Sequence, residues 1–220
     1  MRVVIAGGHG KIALILERLL SQRGDSVAGF IRNPAQAADL EAVGAEPLVV
    51  DLEKASVDEV AKHLEGADAV VFAAGAGPGS GAARKETVDR DAAILLADAA
   101  EAANVSRYVM VSSTGADANA PATRNEVFTA YMRAKGAADD NVRARKALNA
   151  TIVRPGHLTN EPGIGQVEVA DQTLRGDIPR EDVAAVLLAV LDTPGTAGRT
   201  FEVISGDTPI AAAVTTSIRE

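Results

Sequence analysis

Short apolar runs alternate with stretches of helical periodicity from the first residue onward. Residues 3–6, 27–31, 47–50, 69–72, 108–111 and 151–153 are rich in β-branched side chains and read as six buried strands. Between the first two runs, Ile12, Ile15, Leu16, Leu19 and Leu20 recur at helical spacing, and Gly24 supplies a left-handed stop. The same reasoning predicts helices over 34–43 behind an Asn33 cap, 57–64 behind a Ser56/Glu59 capping box, 87–103, 131–145 and 181–191. Strand and helix in strict alternation give parallel pairing with right-handed crossovers. The expected fold is therefore α/β: a doubly wound parallel sheet of the Rossmann kind, three layers deep, in one domain over residues 1–220. Residues 200–204 read as an added edge strand, and the tail from Gly206 carries too weak a pattern to assign.

Two irregular segments interrupt the alternation, 113–129 after the fifth strand and 155–177 after the sixth. Both follow the carboxyl ends of strands, where open α/β sheets hold their ligands, so they are expected to wall a substrate pocket.

Composition narrows the function classes. With 30 acidic and 22 basic residues the net charge is -8, and no basic cluster stands out, which argues against a nucleic-acid partner. The chain lacks cysteine, which removes thiolate chemistry and fits a reducing compartment. The apolar opening is too short for a signal-peptide core, and no run approaches the roughly 20 apolar residues of a membrane span. A cytoplasmic location away from any membrane is the expectation. The histidines, His9, His63 and His157, do not fall at metal-ligand spacing, and no metal site is predicted.

The chemistry concentrates first at the turn after the first strand. Gly8, Gly10 and Ala13 fit G-x-G-x-x-A, with glycine for the tight turn and close backbone approach and alanine for helix-on-strand packing. Residues Gly7, Gly8, His9, Gly10, Lys11 and Ile12 are expected to hold a dinucleotide's pyrophosphate on the amides of the helix start. At the end of the second strand the chain has Arg32 and no acid until Asp39. An arginine suits the 2'-phosphate of NADP(H), where an NAD(H) site usually offers a carboxylate to the 2'-hydroxyl; a solvated arginine is the plainer alternative. Asp51 and Leu52, with Ala73, Ala74 and Gly75, occupy the places that would border adenine and ribose, or are plain strand-end residues.

With these residues the chain resembles the short-chain dehydrogenase/reductase superfamily, in its atypical branch of small sugar-epimerase-like and NmrA-like proteins. Besides the glycine loop, the resemblance rests on Asp89, Val111-Ser112-Ser113, Tyr131 to Lys135, Arg154-Pro155-Gly156 and Ile178 to Ala184, and it covers nearly the whole chain. It implies a catalytic set of Ser113, Tyr131 and Lys135 acting on a carbonyl or alcohol, and cofactor contacts from Lys135, Pro155, Gly156, His157 and Leu158. Asp89 stands where fuller members carry Asn, which puts the proton relay in doubt. Spacing supports the pair independently, since residues i and i+4 share a helix face. A cation ~4 Å from a tyrosine at an effective dielectric of ~20 contributes about 4 kcal/mol, roughly 3 pKa units.

Four functions follow from the resemblance. The first is an NADP-dependent oxidoreductase acting on a small substrate through Ser113, Tyr131 and Lys135. The others are an NADP(H)-sensing module with a protein partner, a flavin or quinone reductase, and an epimerase or dehydratase. The last is weakened because the chain lacks the long C-terminal extension that holds a nucleotide sugar. Substrate, hydride direction and oligomeric state, homodimer included, stay open.

Overall fold

Apolar residues alternate sides along each central strand, and that alternation splits the core in two. In β1 (Arg2–Ala6), Val3 and Ile5 belong to one cluster and Val4 and Ala6 to the other, all 0% exposed. The first cluster is closed by α1 (Lys11–Gln22), Leu40 of α2 (Ala37–Ala42), α7 (Arg180–Leu191) and α8 (Ile210–Thr216). The second is closed by α3 (Val57–Leu64), α5 (Ala92–Ala102) and α6 (Glu126–Arg143). The result is the three-layer α/β/α Rossmann-like architecture. These coordinates are a computed structural model and describe residues 1–77 and 79–218.

The remaining strands are β2 (Ser26–Ile31), β3 (Glu46–Val49), β4 (Ala69–Phe72), β5 (Arg107–Val111), β6 (Asn149–Pro155), β7 (His157–Thr159), β8 (Gln166–Ala170), β9 (Asp177–Pro179), β10 (Thr200–Ser205) and β11 (Thr208–Pro209). The main sheet runs β11-β8-β10-β6-β5-β4-β1-β2-β3, and β7 pairs with β9 in a separate two-stranded sheet. From β3 to β10 every pairing is parallel; β8 lies antiparallel to both β10 and β11. The chain leaves β1 toward β2 and β3, then returns to β4 on β1's other side. The loops after β1 and β4 therefore diverge and open a crevice at the carboxyl edge.

Each of the six expected strands is present within two residues of its expected ends, and the Ser56 cap is in place, its Oγ accepting from the Glu59 amide at 3.2 Å. Five expectations are corrected. Residues 200–204 form an interior strand, because β8 from the segment read as irregular adds outside β10. Segment 155–177 carries β7, β8 and the first residue of β9 instead of plain loop, and the tail from Gly206 supplies β11 and α8. The helix expected at 87 starts at α4 (Ala82–Arg84) and reaches α5 through a π-helical stretch, Lys85–Asp91. The one expected from 131 begins at Glu126, where Asn125 Oδ1 accepts from the Phe128 amide at 3.0 Å.

Candidate functional site

The glycine loop at this crevice is as bare as the chain can make it. Gly7 turns with φ +83°, and a Cβ there would stand 2.6 Å from the Cα of Ala74. The tight turn thus falls at Gly7, one residue before the G-x-G-x-x-A frame. Gly8 backs onto β2, where a Cβ would lie 2.8 Å from the Cα of Gly29. Gly10 donates to Gly7 O at 2.8 Å and caps α1, whose first amides have no partner inside the helix. Ala13, 0% exposed, packs the helix onto the sheet.

Beside this loop lies a cavity of about 320 Å³, bordered by Gly7, His9, Gly10, Arg32, Asp51, Leu52, Ala73, Ala74 and Gly75, with Val50, Val88 and Ala92 as apolar wall. Its charged end centres on Glu53. Arg32 approaches that carboxylate at 3.2 Å, Arg84 at 2.7 Å, and Thr87 Oγ1 donates to it at 2.7 Å. Burial opposes the charge, yet the Thr87 hydrogen bond and the two arginines hold Glu53 below the usual carboxylate range. His9 accepts at Nδ1 from Gln36 at 2.9 Å, which leaves its Nε2 proton facing Asp39 at 2.7 Å.

A second cavity, of about 500 Å³, shares Ala73, Ala74 and Gly75 with the first and is lined further by Ile12, Leu158, Asp89, Tyr131 and Lys135. Lys135 is buried, donates to Val111 O at 3.1 Å and pairs with Asp89 at 3.4 Å. The other Asp89 oxygen accepts from the Ala76 amide at 3.2 Å, tying the pair to the loop after β4. Half-buried Tyr131 lies with its ring centroid 5.3 Å from Lys85 Nζ.

A family model described as NAD(P)H-binding matches residues 7–194. The chain belongs to the NAD(P)H-binding family. A Bacillus subtilis protein named YhfK, an uncharacterized sugar epimerase, is 40% identical over 97% of this chain and 99% of its own length. A fission-yeast relative, UPF0659 protein C216.03, is 32% identical over 96% of the chain and 92% of its own. Among solved structures, a Bacillus halodurans protein named as an NAD-dependent epimerase/dehydratase superposes with a TM-score of 0.89 at 38% identity, covering 98% and 99% of the two chains.

A nicotinamide dinucleotide fits the NAD(P)H-binding site on this chain's own geometry. A side chain at Gly7 would fill the cradle, the amides of Gly10, Lys11 and Ile12 stand at the start of α1, and the two cavities join along residues 73–75. Of the residues singled out from sequence, the second cavity gathers Tyr131, Lys135, Asp89, Ile12 and Leu158. Ser113 is outside its lining, with Oγ 3.5 Å from Thr114 O, whereas Ser112 is on the wall but keeps its hydroxyl buried on the side of Asp139. Pro155 and Gly156 belong to the sheet, paired with and bonded to Val203 of β10. His157 points outward to Asp177 at 3.1 Å. Lys11 reaches Asn160 at 3.1 Å.

Sequence reasoning missed Arg84, Glu53, Lys85 and Arg180. The first and third lie ahead of the helix start expected at 87, in a charged stretch whose π-helical turn blurs the 3.6-residue period. Arg180 was part of the resemblance without a role; its Nη1 donates to Leu158 O, Thr159 O and Asn160 Oδ1, between 2.9 and 3.3 Å. Arg154 explains its own motif, since it clamps the fully buried Asp139 at 2.7 Å and Ala116 O at 3.0 Å. Burial raises Asp139 above the usual carboxylate range, and the Ser112 hydroxyl and the Arg154 guanidinium oppose that rise. Among the described residues no group of three or more His, Cys, Asp or Glu is placed to hold a metal ion, and no helix is long and apolar enough to cross a membrane.

Proposed function

We propose that this NAD(P)H-binding protein is an oxidoreductase of the short-chain dehydrogenase/reductase kind, using NADP(H) and a small carbonyl or alcohol substrate. The carrying observation is the strip Ala73-Ala74-Gly75, common to a glycine-backed cavity and to one lined by Tyr131 and by a buried Lys135–Asp89 pair. A dinucleotide laid along that strip would have its adenosine against Asp51, Leu52 and Val88 and its other end among Ile12, Leu158 and Tyr131. When bound, the cofactor supplies or accepts the hydride.

The protein's part is to hold and to move a proton. The amides of Lys11 and Ile12, left without a partner at the start of α1, bind the pyrophosphate, and Lys135, fixed by Val111 O and Asp89, anchors the ribose side of the second cavity. Tyr131 gives the proton to the substrate oxygen or takes it back. Ser113 assists only if the loop after β5 turns its hydroxyl inward when substrate binds.

Tyr131→Phe should lower NADPH-dependent carbonyl reduction about 100-fold or more while the NADPH dissociation constant stays within twofold. Unchanged turnover would remove Tyr131 from the chemistry and favour direct hydride transfer to a flavin or quinone.

The preference for NADP(H) is supported by two guanidiniums sharing one carboxylate, an arrangement in which a 2'-phosphate takes up the second positive charge. Calorimetry should find NADPH binding at least tenfold tighter than NADH, and Arg84→Ala or Arg32→Ala should erase that difference without weakening NADH. Equal affinities in the wild type would overturn the preference.

A second reading, epimerisation or dehydration, is favoured by the names of the 40% and 38% identical relatives. It uses the same hydride transfer and returns the hydride to the substrate, so cofactor would cycle with no net oxidation during turnover.

A further inference from the structure

We infer that the substrate carries an oxyanion, a carboxylate or a phosphate, which docks on Lys85 and Arg180. This rests on the second cavity being the substrate site. Four charged side chains line that cavity: Lys85, Asp89, Lys135 and Arg180. Asp89 and Lys135 neutralise each other at 3.4 Å. Lys85 and Arg180 are left, and among the described residues neither is within ion-pair distance of a carboxylate.

Lys85 is the sharper case. It is 8% exposed, donates to Gly77 O at 2.9 Å and otherwise faces the ring of Tyr131. An ammonium has three donors, and burying one without a counter-charge is strongly unfavourable. Though the chain has 30 acidic residues and a net charge of -8, none among the described residues stands at ion-pair distance from it. Holding a loop carbonyl would need only a neutral donor. The π-helical turn adds a second sign of purpose: such turns are rare, concentrate at functional sites, and this one buries Lys85, Val88 and Asp89 together. At its start, consecutive residues serve different cavities: Arg84, the last residue of α4, lines the adenosine side and Lys85, the first of the turn, the side with Tyr131. Lys85 is thus set against substrate and not against the cofactor's phosphates.

Arg180 complements it. All its hydrogen bonds run through Nη1, which leaves Nε and Nη2 without a partner among the described residues. Val127 and Phe128, exposed by 39% and 50%, line the same cavity and would cover an apolar body attached to the anion. About 500 Å³ is within the usual range for a small-molecule pocket.

Calorimetry of the full chain, alone and saturated with NADP+, tests this with three probes of one shape: benzoate, phenyl phosphate and benzamide. At least one anion should bind about tenfold or more tightly than benzamide, and which of them does identifies the oxyanion. Lys85→Met should erase that advantage while Lys85→Arg keeps most of it, and Arg180→Gln should reduce it. Because Lys85→Met removes an uncompensated buried charge, its melting temperature should equal or exceed the wild type's. Benzamide binding as well as both anions, no binding of either anion, or an anion preference that survives Lys85→Met overturns the inference. Failure of NADP+ to bind would overturn the proposed function instead, while the cofactor-free titrations still decide the anion site.

Discussion

Glu17 is an acid with nowhere to place its charge. It is 0% exposed in α1, its carboxyl is wedged toward Gly8 and Gly29, and neither oxygen has a hydrogen-bond partner. Desolvation pushes its pKa up to about 8. The folded chain therefore keeps a proton that the unfolded chain releases near the ordinary value of 4.5, so stability falls as pH rises between them and levels off above about 8. Glu17→Gln should abolish that slope. Chemical denaturation should find wild type and variant alike near pH 5 and the variant more stable near pH 8, by an amount on the order of a few kcal/mol. Parallel curves for the two would show Glu17 to be ionised in the fold. The stripe read from sequence along this helix was apolar. Ile12, Ala13, Leu16, Glu17 and Leu20 are its buried face, and a carboxylate is the residue that hydrophobic patterning leaves out.

At the scale of elements, the short pieces around the site are held by acids at the head of α7. Glu181 accepts from the Gly163 amide at 2.8 Å, and Asp182, 2% exposed, accepts from the amides of Ile164 and Gly165, each at 2.9 Å. Gly165 O in turn accepts from the Ile210 amide at 3.2 Å, so one loop joins α7 to α8. Asp182→Ala leaves two amides without their acceptor and should cost about 2 kcal/mol or more. Amide exchange at Ile164 and Gly165 should then accelerate well beyond that of β1; unchanged protection there would show that the carboxylate does not hold the loop. These pieces were illegible for a physical reason. β7, β9 and β11 are two or three residues long, too short for any period to register, and β8 shows polar side chains beside buried Val167. β1, β2, β4, β5 and β6 were readable because both their faces are covered and their apolar runs are continuous.

Across the whole molecule, strand order carries the function. The reversal between β1 and β4 parts two loops, and each lines both halves of the site: Gly7 and Ile12 from one, Ala73 to Gly75 from the other. Alternation and glycine placement pointed to a doubly wound sheet with a site at the first turn, and not to this strand order. Nor did they point to the charge inside the crevice, because Lys85 and Arg180 are far apart in sequence and ordinary in composition until the fold sets them on one wall. The interior place of β10 has a different consequence, for how the protein is made. Until residues 200–205 leave the ribosome, β6 has an open edge and β8 has no strand to join. A nascent chain stalled just short of Thr200 would display a bare row of backbone donors and acceptors, a template for sticking to its neighbours on the same messenger.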